Sequence, residues 1–482
     1  MKKRRKLMLG VLAAPWLACL LACGGETRPN VLLISIDTLR ADHLGVYGYS
    51  RDTSPALDRL AEESIVFANA FSPAPRTLPS HVMMLTGNHP YRMGISHGGD
   101  QSTIPSDARI VSEILQESGY QTVAFVDSSS SGWLGSRRGF ARGFDAYHHA
   151  PHRDDLFYDF DTAASVDAAT EWLDGQRDGR PFFMFLHTKS VHAIRADTPR
   201  PDDRIFPYDK PAPYRFRFVA DEDARFTWSA ADLGAGTLYL NALNKAYFHG
   251  TKDPGDFPKQ RIETLKALYD NGIAYTDHHL GRFFDALRSR GLMDDTILIV
   301  TSDHGEAFLE HGFFKHGITV YREMLHVPLI LRIPGTPGRR SVAEAVSIGD
   351  VPPTILQQLG IPVPPEMEGR PLIGDAADAN ADRPLFAFIK HRLTPATGAA
   401  IRQGDWRLIY DRTRADGGAE ARLYHVSEDP EELHPVPGEG ERAARMLTEL
   451  LDWRDRGEVK TGPGIEIDEK TLEHLRAVGY IE

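Results

Sequence analysis

The chain has 482 residues, 41% hydrophobic and 25% charged, with a formal net charge of −12 and two cysteines. That is an ordinary globular composition with material for a large core, enough for one large domain and a smaller one. The acidic balance argues against a nucleic-acid partner, and with the cysteines confined to positions 19 and 23 the body of the chain has no disulfide, thiolate ligand or cysteine nucleophile.

At the amino terminus Lys2, Lys3, Arg4, Arg5 and Lys6 precede an apolar run from Leu7 to Leu21, then Ala22-Cys23-Gly24-Gly25. A basic flank, an apolar stretch too short to span a membrane comfortably and small residues at its end predict an export signal over residues 1–22. Leu20-Leu-Ala-Cys23 resembles a bacterial lipobox, which implies a lipid anchor on Cys23, attachment to the membrane through it, and a place at the cell envelope in the periplasm or at the outer membrane. Loss of the signal removes those five positive charges and no acid, so the charge goes from −12 to −17. An anionic group must then be met by a local site rather than by the field of the whole molecule.

The body opens on Val31-Leu-Leu-Ile-Ser-Ile-Asp37, an apolar run of strand character that ends in a carboxylate. Ser54-Pro55 starts a helix with serine at its cap, and Ile65-Val-Phe67 forms a short strand. Thr77-Leu-Pro-Ser-His81 through Gly87 predicts a helix capped by Thr77, whose first N–H groups suit a tetrahedral anion. Ile110, Val111, Ile114 and Leu115 recur at helical spacing; Thr122 to Val126 is a strand, Asp161 to Leu173 a helix and Pro181 to Leu186 a strand. From Ala193 to Gln260 the periodicity fades, which reads as a lid-like insertion facing the substrate. Leu265 to Arg288 is helical apart from Gly272 and leads into Ile297-Leu-Ile-Val-Thr-Ser-Asp303-His304-Gly305, a second buried strand ending in an acid.

Strands alternating with helices imply an α/β fold, a mainly parallel central sheet covered by helices on both faces, over residues 28–385. Short strands after Phe386 and a helix around Glu441 to Trp453 form a smaller C-terminal α+β subdomain, residues 386–482. Polar ligands at the carboxyl ends of buried strands lie where open α/β sheets place their sites, and two such strands can share a cation. Asp37, Asp303 and His304 are therefore the candidate metal ligands.

Further stretches resemble the sulfatase-like branch of the alkaline phosphatase superfamily over nearly the whole chain. They are Asp37-Thr-Leu-Arg-Ala-Asp42 with Tyr47-Gly48-Tyr49, Thr77-Leu-Pro-Ser-His81 with Leu85-Thr-Gly87, Gly119-Tyr-Gln-Thr122, Thr301-Ser-Asp-His-Gly-Glu306, Glu310-His-Gly312 and Tyr321 with Val327-Pro328, all in family order. The resemblance implies an alkaline phosphatase-like fold and one divalent cation, Mn²⁺, Mg²⁺ or Ca²⁺, held by Asp37, Asp303, His304 and a nucleophile at Thr77. It also implies that His192, Lys315 and His316 contact the substrate anion or protonate the leaving oxygen. A second metal would need an aspartate shortly before His192, and none is there.

Three departures bear on the chemistry. Sulfatases carry cysteine or serine at the nucleophile position, to be oxidised to formylglycine, and threonine cannot become that aldehyde. A rival register, Ser72-Pro-Ala-Pro-Arg76, mimics the modification motif but lies five residues upstream. Thr38 stands where many members have a second aspartate, and Phe125-Val-Asp-Ser-Ser129 replaces a lysine-containing segment. The expectation is a sulfatase-family hydrolase acting on a small-molecule, glycan or lipid ester of sulfate or phosphate. The alternatives are a phosphodiesterase or phospholipid-headgroup phosphotransferase, and a non-catalytic lipid-anchored binding protein.

Overall fold

The computed structural model describes residues 28–95, 102–130, 132–149, 161–175, 179–193, 208, 210–219, 237–336, 338–374, 382–390, 397–411, 420–437 and 440–456. The export signal and Cys23 lie outside them, as do much of the insertion and everything after residue 456. No helix among the described residues is long and apolar enough to cross a membrane.

In chain order the elements are β1 (Asn30–Ile36), α1 (Pro55–Ala61), β2 (Ile65–Phe71), α2 (Thr77–Thr86), α3 (Val111–Glu117), β3 (Gln121–Val126), β4 (Ala146–His149), α4 (Thr162–Gly175), β5 (Phe182–Thr188), α5 (Thr237–Phe248) and α6 (Lys259–Ser289). They continue with β6 (Thr296–Thr301), β7 (Ala307–Phe308), β8 (Phe314–Lys315), β9 (His326–Val327), β10 (Leu329–Arg332), β11 (Arg340–Ser347) and α7 (Val351–Gln358). The last are β12 (Leu385–Lys390), β13 (Thr397–Gln403), β14 (Trp406–Asp411), β15 (Glu420–His425) and α8 (Gly440–Arg456).

The central sheet runs β11-β2-β10-β6-β1-β5-β3-β4, with β9 beside β2. From β6 to β4 every pair is parallel, while β10 pairs antiparallel with β6 and β2. Because β1, β5 and β6 sit in the middle with helices on both faces, their side chains are apolar in both directions, and all of β6 and of β5 is buried. Two hydrophobic clusters fill the two faces. Leu32, Ile34, Met184, Leu186 and Val300 belong to one, with α4 and α6, and Val31, Leu33, Phe183, Phe185 and Ile299 to the other, with α2, α3 and α7.

The antiparallel sheet β12-β13-β14-β15 shows the alternation of a sheet covered on both sides. Phe388, Ile401, Leu408 and Leu423 face Met446, Leu450 and Trp453 of α8. Ile389, Ala400, Ile409 and Tyr424 face Phe71, Val320, Tyr321 and Leu325 of the main sheet and its loops.

Three sequence expectations are corrected. The helix α6 runs unbroken through Gly272, because a missing side chain there admits the neighbouring chain: a Cβ would lie 3.1 Å from Ser190 O and 3.3 Å from Val191 Cα. Ser54 stands at the N-cap of α1 as expected, but its side chain makes no capping bond there; Asp277 of α6 instead accepts the Ala56 and Leu57 N–H groups, both at 2.9 Å. The insertion is not wholly irregular, since α5 lies within it.

Gly305 marks the tightest turn near the site. Its N–H donates to Met324 O at 2.8 Å, and a Cβ would stand 2.1 Å from Glu323 O. Gly305→Ala must therefore push two backbone segments apart, and we expect it to cost roughly 1–3 kcal/mol of stability in urea titrations of the cation-free protein.

Candidate active site

The sheet register builds the site. Asn30–Ser35 of β1 pairs in parallel with Thr296–Thr301 of β6, so Asp37 and Asp303 leave the sheet side by side two residues beyond the last pair. On the other flank β5 pairs Ile36 with Thr188, and the Asp37 N–H donates to Thr188 O at 2.9 Å. That strand brings His187 and, one turn later, His192 to the same end.

Asp37, Asp303 and His304 are fully buried, and one ligand atom from each falls within 4.8 Å of the others. His304 Nε2 lies 3.8 Å from Asp37 Oδ1 and 3.4 Å from Asp303 Oδ2. The Asp303 Oδ1 atom accepts from the Thr38 and His304 N–H groups at 3.1 and 2.9 Å, which turns Oδ2 toward the cluster. His304 Nδ1 donates to Gly305 O at 2.9 Å, so the Nε2 lone pair faces the acids. Both oxygens of Asp37 and Oδ2 of Asp303 are buried with no hydrogen-bond partner. Three such oxygens and one imidazole lone pair are the donor set of a hard divalent cation, and the residues present fit one.

Thr38 supplies no ligand. It lies in the left-handed region at φ 63°, a strained place for a β-branched residue, and its hydroxyl donates to Asp37 O. Tyr269 holds the strained turn by donating to Thr38 O at 2.7 Å and accepting from the Arg40 N–H at 2.9 Å.

Helix α2 points its N-terminus at this cluster. Its N-cap is Arg76, in extended conformation, and Thr77 is the first helical residue, which corrects the expectation that Thr77 itself caps the helix. The Thr77 hydroxyl stands 3.5 Å from His304 Nε2. The rival Ser72 hydroxyl is instead engaged by Ala74 O and by Ser80 Oγ, each at 2.8 Å. Arg76 reaches over Gly317, donating to its carbonyl at 3.0 Å, and a Cβ at that glycine would lie 2.9 Å from the guanidinium carbon.

Three further groups belong to the site that sequence reasoning did not single out. His187 Nε2 is 3.7 Å from Asp37 Oδ2 and His81 Nδ1 is 3.7 Å from Asp303 Oδ2, the two rings meeting edge to face at 5.0 Å. Glu306, fully buried, faces His316 Nδ1 at 3.2 Å. His81 and Glu306 stand inside motifs already noted and His187 directly follows the strand read over Pro181 to Leu186, but only the fold shows which way they face.

Two family models match the chain, the sulfatase model over residues 29–361 and the N-sulphoglucosamine sulphohydrolase C-terminal model over residues 309–454. The chain belongs to the sulfatase family. It is 27% identical to the N-acetylglucosamine-6-O-sulfatase of Bacteroides thetaiotaomicron over 523 residues, covering 94% of this chain and 91% of that one. It is 26% identical to arylsulfatase K of Mus musculus over 451 residues, covering 88% and 78%. Among solved structures, a protein in complex with its substrate D-glucosamine-2-N,6-O-disulfate superposes with a TM-score of 0.67 at 22% identity, covering 89% of this chain and 97% of that one. The phosphonate monoester hydrolase of Agrobacterium radiobacter gives 0.66 at 22% identity, covering 92% and 99%. At that identity the two superpositions establish the shared fold.

In this sulfatase the remaining predicted residues gather beside the acids. The His316 ring lies 4.4 Å from that of His304 and 4.9 Å from that of His192. Lys315, also at positive φ, donates to Asn241 of α5 at 3.0 Å. Burial pushes the Lys315 ammonium down to about 8 against the pull of Glu306, and burial pushes Glu306 up to about 8. His192 and His304 are held to about 3 and about 4, chiefly by burial, so both imidazoles are neutral at ordinary pH.

The two acids divide their roles. Burial pushes Asp37 up, but neighbouring His187 and the Lys189 ammonium help to outweigh it and hold the carboxyl well below its usual range. Burial and then the Asp37 charge drive Asp303 well above. A carboxyl raised by folding contributes stability that is complete below the ordinary value of about 4 and is lost as pH rises through the raised one. In chelator-stripped protein, melting temperature should therefore fall as pH climbs above that value, and Asp303→Asn should remove this slope and be more stable than wild type at neutral pH, by on the order of 2 kcal/mol. The same variant should lose the rise in melting temperature that excess Mn²⁺, Mg²⁺ or Ca²⁺ gives the wild type. Thermal melts with and without cation check both, and a wild-type chain indifferent to all three ions would remove the cation site.

Proposed function

We propose that this chain hydrolyses the sulfate ester of a sugar, through an ester formed transiently on Thr77, at a centre that holds one divalent cation between Asp37, Asp303 and His304. The observation that carries the reading is the convergence of three unpartnered carboxylate oxygens, an imidazole lone pair and the Thr77 hydroxyl in a fully buried place at the ends of β1, β6 and α2. The sugar class rests on the relatives: one is named for N-acetylglucosamine-6-O-sulfate chemistry, and one structural neighbour was solved with a disulfated glucosamine.

A bound cation supplies charge neutralisation for the ester oxygens and a lowered pKa for the hydroxyl. Thr77 Oγ1, its proton shed to water, attacks sulfur in line; the new S–O bond forms as the bond to the sugar oxygen breaks. The departing oxygen takes up a proton from water, relayed by His316 with His192 beside it. Arg76, Lys189 and Lys315 offset the negative charge that develops on the remaining oxygens, and the N-terminus of α2 adds to them. Water then attacks sulfur, the bond to Oγ1 breaks, sulfate leaves, and Thr77 recovers its proton.

A second reading is favoured by Thr77 itself. A formylglycine hydrate expels sulfate by elimination, whereas an ester on threonine must be displaced by water or another alcohol, a route that also suits a phosphodiester or transfer of a phosphorylated headgroup. The proposed setting for either activity is the cell envelope, with the chain tethered through Cys23.

Turnover of nitrophenyl sulfate and bis-nitrophenyl phosphate by the full chain with Mn²⁺, beside Thr77→Ala, separates these. We expect sulfate cleavage that falls by on the order of 10⁴-fold in the variant. Cleavage of the diester alone would favour the second reading, cleavage that survives the substitution would move the nucleophile to Ser72, and a wild type inactive on both but still binding cation would favour a binding protein.

A further inference from the structure

Phe71, at the end of β2, gathers more positive charge than its bonded partners neutralise. The guanidinium carbons of Arg402, Arg407 and Arg322 lie 4.7, 5.8 and 6.0 Å from the centre of its ring. Arg402 and Arg407 stand directly opposite each other in the β13–β14 register, an unfavourable place for two like charges. Arg322 comes from the main domain, one residue after Tyr321.

A single carboxylate bonds to this group. Glu432 accepts from the Arg407 guanidinium with one oxygen and from the Arg322 main-chain N–H at 2.9 Å with the other, and Arg407 also donates to Val320 O. Nothing of Glu432 is left for the other two side chains. Among the described residues Arg322 and Arg402 make no ion pair: Asp42 is taken by Arg40, and Asp405, on the turn after β13, is exposed. Arg402 is only 8% exposed; its side chain donates from Nε to Gly404 O at 3.3 Å, and its Nη1 is buried without a hydrogen-bond partner. The Arg322 guanidinium meets Phe71 and makes no hydrogen bond among the described residues.

A guanidinium offers several N–H donors in a fixed fork, and burying one with a donor unmet costs free energy. Burial, then the neighbouring guanidinia, push Arg402 down to about 10, and burial lowers Arg322, which leaves both charged at neutral pH. The repulsion is not relieved from within the chain.

We infer that Arg322 and Arg402 form a binding site for a tetrahedral oxyanion, sulfate or phosphate, at the seam between the main domain and the C-terminal sheet. Two forks from separate elements, backed by an aromatic ring, suit an ion with several acceptor oxygens. With Arg402 nine-tenths buried, the ligand has to be small. Because each unit contributes one arginine, the ion ties the C-terminal sheet to the end of β2, ahead of the segment that carries Thr77. Neither arginine belongs to the cluster of Asp37, Asp303 and His304, so the site does not depend on the proposed catalysis.

The test compares the chelator-stripped full-length chain with Arg402→Met and Arg322→Met. Without oxyanion, Arg402→Met should melt no lower than the wild type, because it removes the charge opposite Arg407 and keeps an apolar side chain on Phe71. In about 20 mM sulfate, at ionic strength matched with chloride, we expect the wild type to gain about 3 °C more than either variant. Sulfate bound beside Thr77 contributes to all three alike and cancels. Equilibrium dialysis against radiolabelled sulfate should count one additional bound ion on the wild type. Glucosamine 6-sulfate in place of free sulfate separates the sources: a gain with the free ion assigns the site to it, and a gain with the sugar alone assigns it to a sulfate group carried on a glycan.

Equal gains in wild type and both variants, or equal numbers of bound ions, would overturn the inference. So would a gain that chloride alone reproduces, which is screening, or an Arg402→Met deficit of the same size with and without sulfate, which is packing on Phe71. Should Arg402→Met fail to fold, Arg322→Met, altered at a less buried position, decides by the same two readings.

Discussion

Two carboxylates held side by side where no water reaches them repel each other, and much of this molecule is arranged around that fact. Asp37 and Asp303 come from neighbouring strands at the centre of the sheet, each fully buried. Their repulsion is eased on one side by the His81 and His187 rings and constrained on the other by the strained Thr38 turn, which spends its N–H on Asp303 and its carbonyl on Tyr269. The arrangement has the mark of a site that trades stability for function: its partners do not satisfy it, and a cation would.

The outer parts of the fold align the organic groups with that centre. Gly272 lets α6 press against the Ser190–His192 turn, Gly317 lets Arg76 lie across the His316 loop, and α5 grips β8 by both main-chain groups of Phe314. The C-terminal sheet buries one face against Phe71 at the end of β2, just before the loop that leads to Arg76 and Thr77. Arg402 packs its guanidinium 4.7 Å from the centre of that ring. Thus the C-terminal unit steadies the approach to Thr77, and none of its described residues joins the cluster.

The sequence was most legible where burial is complete. Runs such as Val31 to Ile36 and Ile297 to Val300 read as strands because a strand covered on both faces has no polar positions to blur the pattern, and the acids at their ends stand out for the same reason. Thr77 was misplaced by one helical position because threonine is a good cap, yet here the extended Arg76 takes that place. The helix α5 was missed because Asn241 and Asn244 interrupt its apolar face, and those are the residues that hold the hairpin. His81, His187 and Glu306 could not be singled out, since the two rings face acids on distant strands and the acid faces its partner across a two-residue strand. Patterns too short to show a period leave no signal.

Asp37 and Asp303 meet only when β1 and β6 have paired across 265 intervening positions, the span of the Thr38 to Asp303 hydrogen bond being of that order. No local fragment of the chain contains a complete set of ligands. A cation held there could not act as a nucleus for folding, as a metal does in a small finger domain; it would enter a sheet already closed and would lock the order of strands that made its place. Newly made chain in extended form would have little means of capturing such an ion prematurely, and loading would be a late report that the central strands have found one another.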